Sequence, residues 1–184
     1  MTLQARAGAV LDGIAGALSR IDETQVARAC ETIGAARTVM LYGCGREGLM
    51  MQAFAMRLHH LGLAVSMQGD MAAPPLGRGD LFVASAGPGH LSTVEALMRT
   101  ARMAGADVLF LTAVPDAPAA TLATHHLVIP AQTMANDAGA SEDSPMGSGY
   151  EGALFVLFEA MVADLAARLG QDAASMRARH TNME

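Results

Sequence analysis

Three glycines in six residues, Gly43, Gly45 and Gly48, follow the apolar run 39–42 and open a helical stretch. A strand that runs into a glycine turn and then a helix start exposes backbone N–H groups and the positive end of the helix dipole. Both favour an anion. The same spacing also suits a tight strand-to-helix turn with nothing bound. Arg46 adds a local positive charge unless it pairs with Glu47 or another acid, and Cys44 in the turn is either a thiol made more acidic by the helix start or a packing residue. A second glycine-rich turn, Ala86-Gly87-Pro88-Gly89-His90, follows the run 80–85, with hydroxyls at Ser85, Ser92 and Thr93 around it. There His90 either donates to an anion or ends the loop. Glu151 is the third candidate: it opens the most apolar helix of the chain, behind a glycine-rich loop that carries Ser144 and Ser148. By position alone it is an acid in a first helical turn, favourable to the dipole. The two serines are N-cap residues or hydroxyl contacts. His180, past the last helix, is by position a solvated terminal histidine.

Other chemistries fit less well. Dinucleotide binding wants an acid closing the second strand, about 20 residues after the glycines, and Asp70 stands near that place. His59-His60 and His125-His126 are adjacent pairs, which do not share a helix face. No cysteine or acid stands at ligand spacing from them, so no metal site is read.

The elements that must position these groups follow from periodicity. Leu3, Ala7, Val10, Leu11, Ile14, Leu18 and Ile21 make a helical stripe over 3–21. Asp22 or Thr24 caps a second helix to about residue 35. The order then predicted is strand 39–42, helix 47–61, strand 64–67, loop 69–79 and strand 80–85. A helix from Ser92 to about 104 comes next, with Ser92 and Glu95 in a capping-box pattern. Strand 107–112, a short helix after Asp116, strand 127–129, a polar loop 131–147, helix 151–169 and a short helix 172–179 complete the chain. Strand and helix alternate five times, which predicts a parallel sheet with helices on both faces and right-handed crossovers. Both glycine turns and the start of the long loop fall at carboxyl ends of strands, where such folds bind ligands.

With 184 residues and 52% hydrophobic content, the chain is long enough for one domain with a full core. Within it, 1–36 reads as an N-terminal helical pair, 37–170 as the α/β core and 171–184 as a C-terminal helix and tail. Only 16% of residues are charged, which predicts surface hidden in a homo-oligomer. The net charge of −6 and the lack of a basic stripe argue against nucleic acid. No apolar run approaches a membrane span. Two cysteines on unrelated segments, with no signal-peptide pattern at residues 1–6, predict a cytoplasmic location.

Four stretches resemble the sugar isomerase (SIS) domain family, and within it the 6-phospho-3-hexuloisomerases. They are Tyr42-Gly43-Cys44-Gly45-Arg46, Ala53-Phe54-Ala55-Met56-Arg57-Leu58, Ser144-Pro145-Met146-Gly147 leading to Glu151, and the tail 176–184. The resemblance implies a five-stranded sheet in the order 2-1-3-4-5 and a tetramer. It also implies interconversion of 3-hexulose 6-phosphate and fructose 6-phosphate, with neither metal nor organic cofactor. Glu151 corresponds to the family's catalytic glutamate, and His180 to a histidine that reaches a neighbouring subunit's active site. The chain departs from the family pattern at Glu47, where a serine is usual, and at Ala86, Pro88 and Leu91, which replace hydroxyls that hold the phosphate. Those departures predict weak binding of fructose 6-phosphate. They also keep two alternatives in view: a non-catalytic sugar-binding or sensing protein, and an isomerase of another, unphosphorylated sugar.

Overall fold

The computed structural model describes residues 1–136 and 148–183. Six helices and five strands follow in the order α1 (Leu3–Leu18), α2 (Glu23–Ala35), β1 (Val39–Gly43), α3 (Gly45–His60), β2 (Val65–Met67), β3 (Leu81–Ser85), α4 (Ser92–Met103), β4 (Asp107–Thr112), β5 (His125–Val128), α5 (Ser148–Arg168) and α6 (Ala173–Ala178). Short 3-10 helices over Pro118–Leu122 and Met134–Asn136 interrupt the connections on either side of β5. All strand pairs are parallel and the sheet order is 2-1-3-4-5. Both the predicted α/β class and the predicted order hold.

Side chains alternate across the sheet, as a two-residue period requires. Val39, Leu41, Leu81, Val83, Leu109 and Leu111 face one core, shared with residues of α2, α3 and α5. Phe82, Ala84, Val108 and Phe110 face the other, covered by α4 and the first 3-10 helix. Strand β3 is buried along its whole length, since helices cover both faces and neighbours flank both edges. Helix α5 buries Tyr150, Ala153, Leu154, Leu157, Phe158, Met161, Val162 and Leu165, a stripe at three- and four-residue spacing. Phe158 stacks on Phe54 of α3, with centroids 4.1 Å apart. Helix α1 lies against α5 so closely that a Cβ on Gly152 would come within 2.6 Å of Ile14.

Several boundaries differ from the sequence expectation for identifiable reasons. Asp22 caps α2 through the Thr24 N–H at 2.8 Å, so Thr24 is inside the helix. The Ser92–Glu95 capping box does not form. Leu91 is the N-cap of α4, and Glu95 instead takes the His90 ring Nδ1 at 2.6 Å. Strand β5 begins at His125, earlier than the apolar run suggests, because a sheet-edge strand needs apolar residues on one face only. Of the predicted loop 131–147, Ala131 and Thr133 are buried, and 137–147 lie outside the described residues.

Candidate active site

The register of the sheet sets the two glycine turns side by side. Gly43, the last residue of β1, pairs with Ser85, the last residue of β3. In the order 2-1-3-4-5 this is the point where strand order reverses, and a crevice opens there beyond the carboxyl ends of the strands. Helix α3 starts at Gly45, so residues 45–48 are its first turn rather than a loop before it. Of the three glycines only Gly45 has a positive φ, +55°. Gly43 and Gly48 are needed for closeness instead: a Cβ on Gly48 would lie 2.6 Å from the Gly43 carbonyl oxygen. The N-caps of α3 and α4, Cys44 and Leu91, form no side-chain cap, so both helices present uncapped N-termini at this edge. The Cys44 thiol lies 3.6 Å from the Tyr42 hydroxyl and packs in the α4-side core, in keeping with a packing role.

Glu47 turns inward. It is 8% exposed and does not pair with Arg46. Its Oε2 accepts the Ser85 hydroxyl at 2.5 Å, and both carboxylate oxygens accept the Gly87 N–H at 3.1 Å. Burial pushes the Glu47 carboxyl above the usual carboxylate range. The Ser85 and Gly87 hydrogen bonds pull it back, and the nearby charge of Glu151 pushes it further up. The Ser85 hydroxyl also lies 3.3 Å from the hydroxyl of Tyr150, which is buried. Burial first, then the Glu47 charge, raise the Tyr150 phenol well above its ordinary value. Nothing in the sequence pointed to Tyr150 beyond its place next to Glu151.

Glu151 lies in the first turn of α5, which is tied to the chain leaving β5 by the Tyr150 N–H, donating to the Gln132 carbonyl at 3.0 Å. The Oε2 of Glu151 is buried and has no hydrogen-bond partner among the described residues. Glu47, Ser85, Gly87, Tyr150 and Glu151 therefore converge at the strand switch. Gly89 takes φ +86° in the second turn. Arg46, Ser92 and Thr93 are exposed at the rim, the last two in the first turn of α4. His90 is exposed and held by Glu95. Ser144 lies outside the described residues; Ser148 is the first residue of α5. Asp70, the acid of the dinucleotide reading, is exposed and accepts the Met67 N–H at 2.9 Å within its own turn.

His180 is not part of this cluster. Its ring stacks on His60 at the far end of α3, with centroids 5.3 Å apart. His60 lies thirteen residues along α3 from Glu47, about 20 Å along the axis. Arg179 holds the tail there, donating to the His60 carbonyl and to Gln171 at 2.9 Å each. Among the described residues no group of three or more His, Cys, Asp or Glu is placed to hold a metal ion. No helix among them is long and apolar enough to cross a membrane.

Comparison with known proteins identifies the family. The model of the SIS domain family matches residues 32–144. The 3-hexulose-6-phosphate isomerase of Mycobacterium gastri is 35% identical over 175 residues, covering 95% of this chain and 88% of that protein. The 3-hexulose-6-phosphate isomerase of Methylomonas aminofaciens is 36% identical over 155 residues, covering 83% of each. The crystal structure of a hypothetical protein superimposes with a TM-score of 0.89 at 27% identity, over 98% of this chain and 97% of that one. The chain belongs to the SIS domain family.

Proposed function

We propose that this protein is a phosphosugar isomerase that interconverts 3-hexulose 6-phosphate and fructose 6-phosphate, with Glu151 as the base. The observation that carries the reading is the buried Oε2 of Glu151, without a hydrogen-bond partner among the described residues, at the strand switch of an SIS domain. A carboxylate oxygen with no partner is free to take a proton from carbon. Glu151 removes the proton at C2 of the 3-ketose, and the electron pair forms the C2–C3 enediolate. The proton returns at C3 as the C2 oxygen becomes the carbonyl. Nothing is gained or lost overall, so the reaction is an intramolecular oxidation and reduction that needs neither metal nor organic cofactor. General base catalysis of this kind contributes on the order of 10²–10⁴ in rate. The substrate's phosphate faces the uncapped starts of α3 and α4, where Arg46, Ser92 and Thr93 stand and Gly43 and Gly45 let it approach, while the turn of Gly87 and Gly89 meets the sugar.

His180, stacked on His60 at the end of α3 away from Glu47, serves the site of the partner subunit by moving hydroxyl protons. Exposed Leu11, Leu49, Met56, Phe155 and Val156 on α1, α3 and α5 support the homo-oligomer this requires, which we take to be a tetramer working in the cytoplasm. A second reading, a sugar-binding protein without turnover or an isomerase of an unphosphorylated sugar, is favoured by one observation: Glu47 occupies donors of the second turn. Incubation with fructose 6-phosphate in D₂O separates the readings. The enediolate route puts deuterium at C3, visible by NMR, together with 3-hexulose 6-phosphate. Binding without exchange or product would replace the isomerase reading with the second one.

A further inference from the structure

We propose that Glu47 is a built-in anion: its carboxylate fills the second glycine turn and excludes phosphate from it. The donors of that turn can be followed one by one. The Ala86 N–H goes to the Leu111 carbonyl at 3.0 Å. The Gly87 N–H goes to both Glu47 oxygens, and the Ser85 hydroxyl goes to Glu47 Oε2. Pro88 has no N–H. The Gly89 N–H closes the turn on the Ala86 carbonyl at 2.9 Å. Every donor from Ala86 to Gly89 is thus committed, and an incoming oxyanion finds none. The Glu47 carboxylate sits close against the turn, since a Cβ on Gly87 would lie 3.2 Å from Glu47 Oε1.

The consequence for specificity is that a substrate's phosphate is held further out, by the first turns of α3 and α4. The part of the substrate that meets the second turn is uncharged. Glu47 is therefore a specificity-determining residue acting by occupancy. Only the choice of phosphate as the excluded group rests on the isomerase reading. The test reads ion binding and no turnover, so it can fail while that reading stands.

The full chain is titrated with inorganic phosphate by calorimetry, as the native protein, Ser85→Ala, Glu47→Ser and the double variant. In the native protein the Ser85 hydroxyl serves Glu47, so Ser85→Ala leaves phosphate affinity unchanged, including the case where neither binds measurably. Glu47→Ser frees two donors and binds phosphate at least tenfold tighter, since a hydrogen bond to a charged group is worth roughly tenfold to a hundredfold. Adding Ser85→Ala removes most of that gain. The proposal is overturned if Ser85→Ala weakens native phosphate binding tenfold, if Glu47→Ser brings no gain, or if the gain survives without the Ser85 hydroxyl. Should Glu47→Ser not fold, the Ser85→Ala comparison decides on its own.

Discussion

Replacing Gly87 by alanine tests the packing at the strand switch. The added Cβ would lie 2.8 and 2.9 Å from two Tyr150 ring carbons and 3.2 Å from Glu47 Oε1. Tyr150 is 1% exposed, so its ring cannot swing into solvent. Overpacking of this kind costs about 1–3 kcal/mol. If the turn shifts to relieve the clash, the Gly87 N–H leaves the carboxylate, a bond to a charged group worth about 1.5–3 kcal/mol. The φ of Gly87 is not in the left-handed region, so alanine adds no backbone strain and returns about 0.4–1 kcal/mol by restricting the unfolded chain. The expected net loss is about 2–5 kcal/mol, or roughly 5–15 °C in Tm for a chain of this length. Urea and thermal melts followed by circular dichroism measure it. Gly45→Ala is the comparison: it has open space around its Cβ but a φ of +55°, and loses about 1–2 kcal/mol. A Gly87→Ala protein within about 0.5 kcal/mol of the native one would refute the packing described here.

Gly48→Ala, whose Cβ would press on the Gly43 carbonyl at 2.6 Å, should destabilise markedly, whereas Gly13→Ala in α1, with nothing within 4 Å, should gain about 0.5–1 kcal/mol; equal melting points for the two would contradict the helix–strand contact. The folded-state pKa of Glu47 is raised, so the folded protein keeps a proton that the unfolded chain releases. Native stability should therefore fall as pH rises from the ordinary carboxylate range through the raised folded value, and Glu47→Gln should remove that part of the slope; parallel urea midpoints for the two proteins across this range would show that Glu47 does not titrate as a buried acid. His180→Ala should lose on the order of 10² in kcat with its fold intact. Mixing it with Glu151→Gln subunits should restore activity in hybrid oligomers, and no recovery would place His180 outside the partner's site.

The architecture was legible because hydrophobic period, glycine stops and strand length agreed with one another along the chain. Val39–Gly43, the glycine turn and Gly45–His60 form one continuous signal, and so do Leu81–Ser85 and its turn. What was not legible depended on competition between local and distant partners. Ser92 and Glu95 carry the pattern of a capping box, but His90 outcompetes the backbone for Glu95. Glu47 reads as an acid where the family has a serine, because the spacing 43–48 does not reveal that Ser85, 38 residues later, stands beside it. The same holds for Tyr150, whose role comes only from the sheet register that brings Ser85 and Gly87 under α5. Nor does the spacing of Gly43 and Gly48 show that they supply room for α3 to meet β1, with only Gly45 of the three taking a positive φ.

The central claim is that Glu151 moves a proton between C2 and C3 of a phosphosugar. Deuterium incorporation at C3 of fructose 6-phosphate in D₂O, compared between the native protein and Glu151→Gln, tests it most directly. The variant keeps the shape of the side chain and the fold, while losing the base. Exchange should fall by on the order of 10²–10⁴ with circular dichroism and oligomeric size unchanged. Equal exchange by a folded Glu151→Gln protein would contradict the account.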